Sequence, residues 1–443
     1  MLSQIINNKV GRPINMKFQY MKFPQKKTGK FLIINLFFII IILINNSQCE
    51  SFMLDLPSSF NPVGSGARAI GMGGSFIAIA DDATAASWNP GGLIQLVKPE
   101  LSVVSASFHR IEDNSFQYSD HNSRDQTVSN SNINYLSFSY PFSLLNRNMI
   151  ISMNYQHLYD LSREWDLSES AINLSHEQDG KLGAYGLAYC VRIIKNIYFG
   201  FTINFWKDGI GQNGWKVKEI LVIRGRPSTS LVEYNMNGIN ANFGMLWKYK
   251  QKLTFGAVLK LPFNALLNKQ FINIIENGVN KNSKIYKETL EFPTSYGLGI
   301  GYKLSDNFYL STDFYRTNWH HFVHVDSKGI ENSPLTGESI KVSNIKPTLH
   351  IRLGMEYLIV NTNKHIAIPI RAGLFYAPEP AKDRPDDFWG ISLGTGITIN
   401  NHCFDIAYKL VLGNNVREYM ISEYNFNQDV EEHTIYTSYI FHF

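Results

Sequence analysis

Leu349-His350-Ile351-Arg352-Leu353-Gly354-Met355-Glu356-Tyr357 carries an apolar or aromatic residue at every odd position and a polar, charged or small one at every even position. A period of two places the two sets on opposite faces of an extended strand. The same alternation recurs on both sides of this stretch. Trp389, Ile391, Leu393, Ile397 and Ile399 alternate with Gly390, Ser392, Gly394, Gly396 and Thr398. Ile197, Phe199, Phe201, Ile203 and Phe205 alternate with Tyr198, Gly200, Thr202 and Asn204, and Tyr296, Leu298, Ile300 and Tyr302 with Gly297, Gly299 and Gly301. Soluble sandwiches alternate as well, so the spacing of the segments has to decide between architectures.

Fourteen such segments are read near 99–110, 133–141, 147–158, 183–193, 196–206, 231–248, 252–262, 289–303, 307–319, 346–359, 366–377, 387–399, 402–412 and 434–443. The connections alternate between long (111–132, 159–182, 207–230, 263–288, 320–345, 378–386, 413–433) and short (142–146, 194–195, 249–251, 304–306, 360–365, 400–401). An even strand count with long loops at one end and short turns at the other is how bacterial outer-membrane barrels are built. A closed barrel is also the β structure that leaves no unpaired edge in lipid. The chain ends Tyr439-Ile440-Phe441-His442-Phe443, with aromatics at alternate positions, an ending that resembles the signal by which the barrel-insertion machinery recognises its clients.

Composition and the leader agree with export. Of 443 residues 44% are apolar and only 18% charged, against about 25% charged in ordinary soluble proteins. Disorder, coiled coil and collagen are excluded. The formal charge of +4 comes from 41 Lys+Arg against 37 Asp+Glu. Lys9, Arg12, Lys17, Lys22, Lys26, Lys27 and Lys30 all lie in the first thirty residues, so the rest counts 34 against 37 and no basic face remains for nucleic acid. Lys26-Lys27-Thr28-Gly29-Lys30 precedes Phe31–Ile44, apolar except for Asn35, and Ser47 and Cys49 stand at the −3 and −1 positions of a cleavage site before Glu50. This is a signal peptide within a leader of residues 1–49; its fourteen-residue apolar core is shorter than the roughly 20 needed to span a bilayer.

Residues 50–98 do not alternate. Gly64, Gly66, Gly71, Gly73 and Gly74 crowd together, followed by the Ala-rich Ala78–Ala86 and by Trp88-Asn89-Pro90-Gly91-Gly92-Leu93. Asp81 or Asp82 is expected to cap a short helix that Asn89-Pro90 ends. Met72, Phe76, Ile77 and Trp88 are too apolar for a solvated linker, so the segment reads as a lumenal plug, or hatch, ahead of a barrel at 99–443.

Gly64-Ser65-Gly66-Ala67-Arg68-Ala69, Ala80-Asp81-Asp82-Ala83 and Asn89-Pro90-Gly91-Gly92-Leu93 together resemble the hatch of the FadL/TodX-like outer-membrane transporters. Pro293–Tyr302 and Asp313–Trp319 resemble that family's middle strands. Gly91 departs from the family's Asn-Pro-Ala, and Phe52–Val63 is longer than its mature N-terminus. The resemblance implies an all-β, 14-stranded antiparallel transmembrane barrel with an N-terminal plug. It implies passive uptake of hydrophobic small molecules such as long-chain fatty acids or hydrocarbons, captured at external loops and released sideways into the bilayer. The family's opening arises from a kink in the third strand. Here Asn148–Tyr159 has no Gly or Pro to mark one, so the opening is not placed from sequence.

Several side chains are candidates for the ligand. Leu267, Phe271 and Ile275, at i, i+4 and i+8 in the connection 263–288, fit an amphipathic helix that either captures ligand or packs on neighbouring loops. Phe52 and Leu54, at the mature end, are placed to reach a lumenal pocket or to pack in the plug. Arg352, Glu356, Arg371, Asp313, Asp405 and Lys409 are read as lumenal charges paired with one another or with the hatch, Arg352 and Arg371 being the candidate forks for a carboxylate head group. His320, His321 and His324 lack the companions of a metal site and read as a wet interface. No catalytic motif is present, and no cofactor is called for. Outer-membrane lipid and lipopolysaccharide are the expected surroundings. The alternative function is a plugged barrel that does not transport and serves as scaffold or anchor for secretion or surface proteins.

Overall fold

The computed structural model describes Leu54 and residues 64–116, 125–169, 172–207, 213–223, 225–275, 278–417 and 426–443. The leader 1–49 and Phe52 lie outside the described residues. Fourteen antiparallel strands form one closed barrel. They are β1 (Glu100–Phe116), β2 (Asp125–Leu144), β3 (Arg147–Asp160 continued by Arg163–Glu169), β4 (Ile172–Ile194), β5 (Ile197–Trp206 continued by Gly214–Ile223), β6 (Arg226–Tyr249) and β7 (Leu253–Lys260 continued by Phe263–Ile275). The second half is β8 (Gly278–Phe292 continued by Ser295–Ser305), β9 (Phe308–Thr317), β10 (Thr348–Asn361), β11 (Ile366–Tyr376), β12 (Phe388–Ile399), β13 (His402–Val416) and β14 (Phe426–His442). The ring closes through β1 and β14, paired from Glu100↔His442 to Phe116↔Phe426.

Each of the fourteen alternating segments of the sequence lies in one of these strands. At the short turns the chain reverses in very few residues, and Leu145 and Asn146 both take positive φ (51° and 56°) between the paired Leu144 and Arg147. Outward-facing Tyr140, Trp247, Tyr249, Tyr302 and Tyr357 gird that end, as aromatic residues do at a membrane interface.

Four of the expected long loops are largely strand. β4 and β6 run 23 and 24 residues, where about 9–11 suffice to cross a bilayer. The barrel wall from β3 to β8 therefore continues well past the membrane at the long-loop end. The expected helix of 263–288 is absent: Phe263–Ile275 pairs with both β6 and β8. A spacing of four is a multiple of two as well as close to one helical turn, and the wall supplied the pairing partners that a helix would have lacked.

Residues 64–98 lie against the inner face of the wall and make three short helical turns, Ala67–Gly71, Ala85–Trp88 and Pro90–Gln95. They seat where inward positions are glycine. A Cβ at Gly373 would lie 2.0 Å from the Gly73 nitrogen, at Gly256 2.3 Å from the Ile77 carbonyl, and at Gly354 2.4 Å from the Met72 carbonyl. Wall side chains then pin the segment's backbone. Asp313 accepts from the Phe76 and Ile77 amides (2.7 and 2.9 Å), Ser438 from Ala67 (2.7 Å) and Ser392 from Gly73 (2.8 Å). The glycines read in the sequence as the small face of a strand are the seats of this N-terminal segment, called the plug below.

Candidate functional site

The residues read from sequence as a hatch motif bond mainly within the N-terminal segment and to the wall beside it. Asn89 donates to the Ile77 carbonyl at 2.7 Å and to the Met245 carbonyl of β6 at 3.0 Å, while its own oxygen accepts from the Gly91 amide at 3.0 Å. Pro90 occupies the first position of the following turn, where its missing N–H costs nothing. A Cβ at Gly91 would stand 2.9 Å from the Gly244 carbonyl, which accounts for glycine at this position. The expected aspartate cap is not made. Thr84 precedes the Ala85–Trp88 turn without a side-chain cap, and Asp82 instead accepts from the Thr84 amide (2.8 Å) and hydroxyl (2.5 Å). Asp81 pairs with Arg68.

Arg68 continues from the plug into the wall. It grips Glu356 of β10 with two bonds of 2.9 Å, and Arg371 of β11 bridges Glu356 and Asp405 at 2.6 Å each. Arg371 is thus spent on structure. Arg352 is 5% exposed and forms no ion pair among the described residues. It reaches the Gly74 carbonyl at 3.5 Å and His350 at 3.3 Å, and its guanidinium lies 5.8 Å from the rings of Trp88 and Tyr315. The two arginines, equivalent in the sequence, are not equivalent in the fold.

Between β2 and β3 the wall loses its backbone pairing toward the long-loop end. The β2–β3 ladder runs from Leu144↔Arg147 to Tyr135↔Gln156 and stops there. Asn134 is an extra residue in β2 against β1, because Val104 pairs with Tyr135 and Ser105 with Ile133. Leu158 is an extra residue in β3 against β4, since His157 pairs with Gly183 and Tyr159 with Leu182. Two bulges at the same height on neighbouring strands bend them apart. Side chains alone bridge the window: Asn130 donates to Asp160 at 3.0 Å, Asn132 to Asp160 at 3.5 Å and Asn134 to the His157 carbonyl at 3.3 Å. None of these residues was singled out from sequence. The signal was a change of parity: Ile133 faces outward at an odd position, Leu136 and Phe138 at even ones.

Two cavities meet at this window. The larger, about 130 Å³, lies beside the plug and is walled by Phe108, Phe375, Phe388, Val411 and Tyr436, with Arg352 also in its lining. Asn132, Asn134, His157 and Asp160 line it too, so it reaches the gap. The smaller, about 40 Å³, lies among Tyr159, Trp206, Phe263, Phe292 and Trp319. Phe263 and Phe292 stack there at 4.7 Å. Leu158 lines both.

That smaller cavity belongs to an apolar cluster toward the long-loop end that also holds Leu54, 2% exposed, and Leu267, fully buried. The Leu54 amide donates to the Pro334 carbonyl at 2.8 Å. Phe271 packs edge-on to Tyr286 at 5.8 Å, outside that cluster, and the Ile275 side chain lies outside the described residues. Of the histidines expected at a wet interface, His320 and His321 are exposed, whereas His324 is 1% exposed and meets Glu288 at 2.9 Å.

A sequence profile described as "Outer membrane protein transport protein (OMPP1/FadL/TodX)" matches residues 51–433. The chain belongs to this family. It is an outer-membrane β-barrel of a transport family whose named members handle hydrophobic compounds. Among solved structures, a Pseudomonas aeruginosa FadL homologue superposes with a TM-score of 0.62 at 12% identity, covering 87% of this chain and 99% of that one. The Pseudomonas putida toluene transporter TodX gives 0.58 at 12% identity, over 87% of this chain and 100% of that one. The Ralstonia pickettii toluene transporter TbuX gives 0.51 at 13%, over 86% and 99%. At these identities the superpositions speak for the fold. No match to the chain is found among curated proteins.

Proposed function

We propose that this barrel takes up hydrophobic small molecules passively and releases them sideways into the outer membrane through the window between β2 and β3. The observation that carries the reading is the coincidence of the cavity beside the plug with the early end of the β2–β3 ladder. Below the cavity the plug is pinned to the wall glycines, so the straight path is closed. An apolar molecule gains about 25 cal/mol per Å² of surface removed from water, and a lateral exit keeps it out of water throughout. Backbone that leaves a ladder at membrane depth is tolerated where it lines a cavity, and that is where the two bulges sit.

In this reading the apolar cluster around Trp206, Phe292 and Trp319 is the first station and the cavity beside the plug the second, with Leu158 between them. Arg352, which lines the second station and forms no ion pair among the described residues, is a donor available to an oxygen-bearing ligand. Deleting Leu158 restores the β3 register and lets the β2–β3 ladder extend. Uptake of a radiolabelled hydrophobic compound by cells carrying the deletion should fall to the level of cells lacking the channel, with the folded barrel still present by its heat-dependent shift on gels. Undiminished uptake through a correctly folded deletion variant would sink the lateral path.

A further inference from the structure

The rim of the window is polar, and its polarity is one-sided. Asn130, Asn132 and Asn134 turn their amide nitrogens to acceptors, Asp160 and the His157 carbonyl, which fixes which end of each amide is which. The side-chain oxygens of Asn132 and Asn134 are left buried with no hydrogen-bond partner among the described residues. A buried acceptor without a donor is costly, and native proteins rarely leave two side by side. Both residues line the cavity beside the plug.

We propose that this cavity binds a ring-sized apolar molecule carrying a hydroxyl donor, of the phenol class, and that Asn132 and Asn134 select it by accepting that proton. The proposal rests on the passage reading above and adds the ligand's chemistry to it. Size favours a single ring: about 130 Å³ is close to the roughly 150 Å³ of an apolar cavity that takes benzene, and it is too small for a long chain. Phe108, Phe375, Phe388 and Tyr436 supply aromatic walls. A bare hydrocarbon fills the space but leaves both amide oxygens unpaired. An ionised carboxylate could use Arg352, yet brings no donor to the rim and would face Asp160. A phenol donates to one amide oxygen, and its own oxygen remains free to accept. A site built to hydrogen-bond a hydroxyl discriminates against the analogue lacking it because its own polar groups are then left bare.

Fluorine NMR on the full-length protein in detergent tests this with 4-fluorophenol and 4-fluorotoluene, which differ by O–H against methyl. The wild type should bind the phenol about fivefold to tenfold more tightly, the worth of one net hydrogen bond. In the double variant Asn132→Leu/Asn134→Leu that lead should shrink to about twofold or less, with 4-fluorotoluene held as well or better. Should the variant fail to fold, 4-fluoroanisole on the wild type asks the same question, since methylation removes the donor and keeps the oxygen. It should bind no better than the toluene. Equal binding of phenol and toluene, or a lead that survives in a folded variant or in the anisole, overturns the selection and leaves passive uptake standing. Binding of no probe overturns the passage reading of this cavity as well.

Discussion

Glu379, in the connection between β11 and β12, is 5% exposed and pairs with Arg417 at 3.4 Å. Burial pushes its carboxyl up to about 8 against the opposing pull of Arg417; Asp386 and Glu432 push it further up, and Arg110 opposes them. The folded protein therefore holds this proton more tightly than the unfolded chain does. Its contribution to stability is present below pH about 4.5 and is lost as pH rises to about 8. Urea unfolding of the detergent-held barrel should show the wild type weakening across that window, while Glu379→Gln flattens the slope there; an identical slope in both would remove Glu379 as the cause. Arg352 and Arg371 teach the complementary lesson about reading residues. Alternation assigns each of them to the inner face, but which inner groups each meets depends on neighbours far away in the chain. Glu356 and Asp405 claim Arg371, whereas Arg352 faces the plug. The pairing of lumenal charges with each other and with the N-terminal segment was legible; which of the two arginines would lack an ion pair was not.

At the scale of elements, the strands were legible because their two faces meet different solvents, lipid and a packed lumen, and this imposes the period of two. Their upper limits were not. Beyond the bilayer the outward face returns to water, so apolar and polar residues no longer sort cleanly and 214–230 or 263–288 look like loops. No Gly or Pro marks the window, because a bulge needs only an extra residue and shows itself as a slip of parity. Leu158 and Asn134 are ordinary residues in extra positions. The seam between plug and wall yields a firmer expectation. At Gly373 an added Cβ meets plug backbone at 2.0 Å, whereas at Gly301 it meets the Cγ2 methyl of the Ile79 side chain at 2.5 Å. Backbone cannot step aside and a side-chain methyl can. Gly373→Ala should therefore destabilise by about 1–3 kcal/mol and Gly301→Ala by clearly less, read from the temperature at which each barrel loses its compact form on gels. Equal losses at the two sites would mean that the plug does not press on the wall at Gly373.

By the reading proposed here, the whole molecule joins a floor closed by residues 64–98 to a side that opens between β2 and β3. Gly200, Gly244, Gly256, Gly299, Gly354 and Gly373, on six different strands, each touch the plug, and ion pairs and hydrogen bonds from β9, β10, β12 and β14 lock it. A water-filled pore of this strand number would conduct ions. On the proposed route an ion would have to shed its hydration in the apolar cluster around Trp206, Phe292 and Trp319 before it reached the polar rim of the window. The same geometry that admits an apolar molecule should therefore refuse a salt. In planar bilayers the wild type should show no steady conductance, while vesicles containing it take up a hydrophobic fluorophore faster than empty ones. Shortening the chain to remove residues 50–98 should reverse the ionic result and open a steady current, because among the described residues it is 64–98 that lie against the wall glycines. A wild type that conducts at rest would mean that the floor is not closed, and the case for a sideways exit would then lose its premise, since a straight path would compete with it.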